Sequence, residues 1–461
     1  MSPAETRPGT VAEALAGALA ALGVRRTVGL DLGTNAGGLP HIDVDDPDLA
    51  VLLADADGAV NGGLGAAVLA GQLLHLSSLP GGTAFPQTVG SPEELLDTLA
   101  GIDPMMPATV ALHLDLDLGA DVPDGLTVGG EIDRQMAYQL GASLQGAPLA
   151  VIAGVGVVRS GSAEALASFA ERLGVPVLNT VAAKGVFRWN SPYHAGTIGL
   201  QERDGELGGV DDALVVITCG VGDDELTARP GGNVIELDPR QLAIAAEGWT
   251  RPADGPAARP PLYEALAAVT RPAYEREDVP LSAPRAALHL SGAAPDDGVA
   301  VVEADLAGFW VGRAFPTAVP GSVVVATTPL PGFAAAGALM ARLAGRPSIG
   351  VRAGGAGREE GDDLESAVLA LADRLGAALT VQAWAPDGIE MGADEHARAT
   401  EADYRGEGAP PEGSPSLGAP PPRAFVRSVA VAIDDLEAIV QVAGSLVPWA
   451  APPSAPNPAP Q

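Results

Sequence analysis

Acidic and glycine-rich runs are the places where this sequence could do chemistry. Asp55 and Asp57 flank Ala56 in Ala54-Asp55-Ala56-Asp57-Gly58-Ala59. A carboxylate in such a place can exchange a proton with a bound ring. Gly354-Gly355-Ala356-Gly357 could cradle a phosphate with backbone N–H groups. Glu359-Glu360-Gly361-Asp362-Asp363 follows directly. Such a run can attract a hard cation, although a row of like charges also suits a solvated helix start, and no metal-ligand set is assigned here.

Other chemistries find no support. The six histidines form no His-x-x-x-His pair, and Cys219 is the sole cysteine, so neither a zinc site nor an intramolecular disulfide is expected. Lys184, the only lysine, lies outside any Gly-x-x-x-x-Gly-Lys loop, and there is no Gly-x-Ser-x-Gly. Gly154-Val155-Gly156 lacks the third glycine of a dinucleotide fingerprint, so FAD is not expected.

The elements that must position these residues alternate. Leu149–Ala153 reads as a strand stopping at Gly154, and Ser160 to Leu173 as a helix stopped by Gly174. Strands follow at Val175–Thr180, Ala213–Thr218 and Asn233–Leu237. Upstream, Thr10-Val11-Ala12-Glu13 is a capping box opening a helix to Gly23, followed by a strand at Arg25–Leu30. Leu49–Leu53 reads as a strand, the segment to Gly71 as a small-residue helix, and Leu73–Leu76 as a short strand. Downstream, strands at Val299–Asp305, Ser322–Thr328, Pro347–Val351, Ala378–Trp384 and Phe425–Ile433 alternate with helices at Phe333–Leu343 and Leu364–Leu375. The fold class is therefore α/β, with three Rossmann-like parallel-sheet domains. Their boundaries fall at 9–125, 126–250 and 285–448, joined by a linker over 251–284. A disordered insert is expected at 405–422 and a Pro-rich tail at 449–461.

Bulk composition narrows the partners. The net charge is −32 over 461 residues. Nucleic acid and anionic membrane would both be repelled. No segment offers a clean apolar span and no signal peptide opens the chain, so a soluble cytoplasmic protein is expected.

Residue order also carries a resemblance. Pro148 to Val158, then Lys184-Gly185-Val186-Phe187, then Val234-Ile235-Glu236-Leu237-Asp238-Pro239 resemble the central domain of thiamine-diphosphate-dependent enzymes of the acetolactate synthase, pyruvate oxidase and benzoylformate decarboxylase type. The flanking regions resemble that family's pyrimidine-binding and diphosphate-binding domains, the first of them shortened. The resemblance implies thiamine diphosphate and magnesium as cofactors. It places Ser78 and Gly81 in a cofactor-binding loop, and Gly354 and Gly355 where the family carries its metal aspartate. Aligned through Gly58-Ala59, the family's pyrimidine-binding glutamate falls on Ala56, leaving Asp57 as the carboxylate that could replace it. No paired asparagine follows Trp384. These departures suggest a catalytically degenerate member acting as a structural or regulatory subunit, as a homodimer or with an active paralogue. The alternative is an active lyase or transferase on 2-oxo acids.

Overall fold

The computed structural model describes residues 9–31, 38–78, 82, 84–104, 108–121, 138–139, 149–222, 225–226, 230–231, 233–249, 254–354, 363–409 and 423–450. The first helix, Val11–Ala21, starts as its sequence dictates. The Thr10 hydroxyl accepts from the Glu13 N–H while the Glu13 carboxylate accepts from the Thr10 N–H.

A six-stranded sheet follows. It comprises β1 (Thr27–Gly29), β2 (His41–Asp43), β3 (Gly65–Leu69), β4 (Leu73–Ser77), β5 (Gln87–Val89) and β6 (Thr109–Leu114), in the order β2-β1-β3-β4-β6-β5. β4 runs antiparallel to both neighbours, so this sheet is mixed rather than purely parallel.

Two sequence readings are corrected here. Leu49–Leu53 is not a strand but part of the helix Pro47–Asn61, and the helix expected up to Gly71 is instead the β3–β4 hairpin. Asp46 explains the first, because its carboxylate accepts from Asp48 N–H and Leu49 N–H while Pro47 presets the first turn. The hairpin turns through the three residues Ala70, Gly71 (φ 74°) and Gln72 (φ 57°), the last two left-handed.

Helix Pro47–Asn61 lies against the sheet through Gly58. A Cβ there would sit 2.2 Å from the Ser77 carbonyl oxygen and 2.8 Å from the Gly65 nitrogen. Backbone cannot yield as a side chain can, so Gly58→Ala is expected to cost about 3 kcal/mol or more. Gly17, in helix Val11–Ala21, has nothing within 4 Å of its would-be Cβ. Gly17→Ala should stabilise by about 0.5–1 kcal/mol. Urea unfolding of the two variants checks the contrast, and equal midpoints would refute the close approach.

The central sheet is all parallel, in the order β11-β10-β7-β8-β9. Its strands are β7 (Leu149–Ala153), β8 (Val177–Asn179), β9 (His194–Thr197), β10 (Val215–Cys219) and β11 (Asn233–Leu237). β9 was not legible in the sequence. Helix Ala163–Leu173 ends at Gly174 in the left-handed conformation, as expected.

The third sheet is also parallel, in the order β12-β17-β16-β15-β13-β14. It contains β12 (Leu281–Ser282), β13 (Val299–Val302), β14 (Val323–Val325), β15 (Ser348–Ala353), β16 (Leu379–Ala385) and β17 (Ala424–Ala432). The expected linker over 251–284 is more structured than a tether. It holds helix Pro261–Tyr274, with Leu262 and Leu266 buried, and β12, which pairs with β17. Helices Leu306–Ala314 and Ala393–Arg405 complete the layers. Of the expected insert, 405–409 closes the helix Ala393–Arg405 and 410–422 lies outside the described residues, as does 451–461 of the tail.

Cores cross between the sheets. One apolar cluster runs from Ile152 and Leu178 of the central sheet through Leu262 and Trp310 to Trp384 of the third. A second joins Leu52, Leu53 and Val60 to Phe333, Leu339 and Met340, so that helices Pro47–Asn61 and Phe333–Leu343 pack together. Among the described residues, no helix is long and apolar enough to cross a membrane.

Candidate functional site

Asp57 is not at a strand end. It sits within helix Pro47–Asn61, only 2 % exposed, where it accepts from the Asn61 amide at 2.6 Å and lies 3.8 Å from the Arg26 guanidinium. Burial holds its carboxyl above the usual range, against the pull of Arg26 and Asn61. Asp55 meets His75 at 2.9 Å on another face of the helix. Ala56, between them, belongs to the core that joins the first and third sheets. The strand-to-helix turn at which the family's glutamate was expected is therefore Val44 to Asp48, between β2 and helix Pro47–Asn61. The Gly58-Ala59 segment through which the resemblance was aligned lies inside that helix and not at a strand end. At the true junction Asp46 is spent on the cap, while Asp45 and Asp48 are exposed.

Ser78 continues from β4. Its hydroxyl donates to the Ala108 carbonyl at 3.4 Å and accepts from the Ala108 N–H at 3.1 Å, which ties β4 to the chain entering β6. Gly81 lies outside the described residues, and so do Gly355 and Glu359–Asp362.

Gly354 directly follows β15 and donates its N–H to the Trp384 carbonyl at 2.7 Å. A Cβ at Gly354 would touch the Cβ atoms of Ala385 at 3.2 Å and Ala383 at 3.4 Å. The wall facing it is thus two methyl groups from β16. The neighbouring polar groups are committed. Arg352 pairs with Glu365 through Nε at 2.6 Å and a second bond at 2.8 Å. Asp305 caps helix Leu306–Ala314 through one oxygen and accepts the Ala353 N–H through the other. Glu303 accepts the Gly332 N–H. A hard divalent cation needs a convergent set of oxygen ligands. Among the described residues, no three His, Cys, Asp or Glu side chains come together in that way.

The central sheet shows a feature that the sequence reading missed. Glu225 reaches back to the end of β7, where its carboxylate accepts from the N–H groups of Val155 and Gly222 at 3.0 Å and 2.7 Å, and from the Thr180 hydroxyl. Backbone N–H groups at such a strand end are where nucleotide phosphates bind in related folds. Here an internal carboxylate fills the place. Burial raises its pKa, opposed by those donors and by Arg159. The acidic triplet Asp223-Asp224-Glu225 after Cys219-Gly220 was the available signal.

Residues 146–247 match the profile of the family described as thiamine pyrophosphate enzyme, central domain. The fold is similar to that of a solved protein from Mycobacterium smegmatis provisionally assigned as a thiamin diphosphate-dependent enzyme. That match has 15 % identity and a TM-score of 0.60, and covers 92 % of this chain and 99 % of the other. No curated protein matches the chain significantly. By its sequence, the central domain of this chain belongs to the thiamine-diphosphate-dependent enzyme superfamily, and the sheets on either side complete a fold shared with that mycobacterial protein.

Proposed function

We propose that this chain is an acetolactate-synthase-like scaffold that has lost the magnesium–diphosphate half of the cofactor site and serves as a structural or regulatory subunit. One observation carries the reading. Gly354, which the resemblance sets at or beside the family's metal aspartate, faces the methyl groups of Ala383 and Ala385, with Arg352 locked to Glu365 beside it. Neither a methyl group nor an ion-paired guanidinium can ligate a cation. Family active sites form between subunits, so the chain is proposed to work as a homodimer or beside an active paralogue. Phe85, fully exposed next to the edge strand β5, is a place for such a contact.

A second reading keeps thiamine diphosphate and an activity on 2-oxo acids. It is favoured by the carboxylates of Asp45 and Asp48, exposed at the strand-to-helix junction. Titration calorimetry with thiamine diphosphate, with and without magnesium, separates the two. The first expects no heat at millimolar ligand. Magnesium-dependent micromolar binding, worth about −8 kcal/mol, would overturn it and install the second.

A further inference from the structure

A cavity of about 500 Å³ lies between the central and third sheets, away from Gly354 and from the Glu225 carboxylate. Its volume is that of a small-molecule site. Strand β9 and the helices Pro261–Tyr274, Ala283–Ala293 and Leu306–Ala314 enclose it, with Trp189 half-exposed on its lining. The walls are mostly apolar, formed by Tyr263, Leu266, Leu288, Phe315 and Pro316. Among the described residues no Asp or Glu lines it, in a protein of net charge −32.

Most polar groups in the lining are already used. Arg313 pairs with Asp204 and donates to the Thr197 carbonyl and Gln201 Oε1. Tyr263, Thr270, Tyr274 and Ser291 each donate to a backbone carbonyl. Arg271, largely exposed, reaches Glu264 at 4.0 Å. Two groups differ. The Lys184 amine, on a residue 6 % exposed, has no side-chain hydrogen bond or ion pair among the described residues. His194 Nδ1 is buried without a partner. An unmatched buried donor is costly, and an ammonium more so than a neutral group. The unpaired Lys184 amine in an apolar cavity implies a ligand that supplies the missing acceptor, and His194 Nδ1 adds a second unpartnered polar atom beside it.

We infer that this cavity binds a small apolar monocarboxylate, with its carboxylate against the Lys184 amine and its hydrocarbon against Tyr263, Leu266 and Phe315. A single charge is specified because the other two cations of the lining have acidic partners of their own. Phosphate-bearing ligands would bring charge that one amine cannot match into walls that offer little else.

The binding should be linked to a proton. Burial, with the Arg313 charge second, pushes the Lys184 pKa down to about 7. The groups facing it are His194 on β9, Tyr263, Arg271 and Tyr274 on one helix, and Arg313 on another. Helix Ala283–Ala293 contributes no charge to the lining. A carboxylate that arrives beside the amine favours its protonated form, so affinity falls as pH rises above about 7.

Calorimetry on the full chain tests this with 3-phenylpropionate and octanoate as probes and 3-phenylpropanamide as the neutral control. At least one carboxylate is expected to bind about tenfold more tightly than the amide, and about tenfold more weakly at pH 8.5 than at pH 6.5. Lys184→Met should abolish that preference, and because it replaces a buried amine by an apolar group it should leave the thermal midpoint unchanged or higher. Ala267→Phe, which fills the cavity from helix Pro261–Tyr274 without touching Lys184, should abolish binding of both carboxylates. As Lys184 is the only lysine, an amine-selective reagent read by mass spectrometry gives an independent measure. Bound carboxylate should protect Lys184. Equal affinity for acid and amide, a preference retained in Lys184→Met, no binding of either carboxylate to the folded protein, or unprotected labelling would each overturn the inference.

Discussion

Arg313→Met should destabilise the contact between the central and third sheets by roughly 3–5 kcal/mol, the largest single-residue loss expected in this chain. The Arg313 side chain is fully buried and that of Asp204 is 4 % exposed. Asp204 also accepts the N–H groups of Leu200 and Gln201, so its carboxylate holds the loop after β9 in shape. Removing the guanidinium leaves that carboxylate buried without its counter-charge, and this desolvation cost is most of the effect. Adding Asp204→Leu should therefore return a large part of the loss, because two apolar groups need no pairing. Trp310 and Trp384 are buried in the shared core and report its opening by fluorescence. A single variant as stable as the parent in urea would show that the pair is dispensable.

Acid should weaken the fold well before its carboxylates protonate. Burial first, then the charges of Lys184 and Arg259, pushes the His194 pKa down to about 3. Burial, then His289 and Arg427, takes His396 to about 3. Burial and Arg285 take His289 to about 4, with Asp394 pulling the other way. The hydrogen bonds require neutral rings. Arg285 Nε donates to His289 Nε2 at 2.9 Å, so the ring hydrogen sits on Nδ1, 2.8 Å from His396 Nδ1, which accepts it. A folded pKa below 6.5 means that the unfolded chain takes up the proton first. Stability is then complete above about pH 6.5 and falls as pH drops toward the folded values. His194 and His396 alone account for roughly 5 kcal/mol between pH 6.5 and 4.5. Asp57 and Glu225, whose pKa values are raised, act in the opposite sense, since the folded chain binds their protons first. Their contribution sets in at the raised folded values and is complete below the ordinary carboxylate range, so it offsets part of the loss that the three histidines cause. Urea midpoints at pH 7 and pH 5 measure the slope. A flat profile, or histidine ring signals of these three residues titrating near pH 6.5, would refute it.

Much of the scaffold was legible because it rests on local signals. Helix Phe333–Leu343 and strands Leu149–Ala153 and Asn233–Leu237 lie where their apolar runs and terminal glycines place them. Leu49–Leu53 failed because a Leu/Ala-rich run satisfies a buried helix as well as a strand, and the deciding cap lies before it, at Asp46-Pro47. Gly71 was read as a helix stop although it is the middle residue of a hairpin turn; only the pairing of Val68 with Leu74 reveals which. The site was less legible for a physical reason. Asp57 lies in a run that suggests a turn, but its environment is set by Arg26 and Asn61. Lys184 could be singled out as the only lysine, yet its burial depends on a helix from the supposed linker closing over β9. Such juxtapositions arise from packing between distant elements, which one-dimensional periodicity does not carry.

The Glu225 carboxylate at the end of β7 has a consequence for how this domain can change. Because that anion is tethered to the chain, its local concentration is fixed by a short loop and is independent of the surroundings. A free phosphate or flavin diphosphate must compete with a resident that cannot diffuse away. The domain is thus born liganded, and its history and future are asymmetric. A lineage that gains such a glutamate makes its fold indifferent to nucleotide supply in one substitution. A lineage returning to nucleotide binding must first evict that side chain and, until a nucleotide arrives, leave the N–H groups of Val155 and Gly222 without an acceptor.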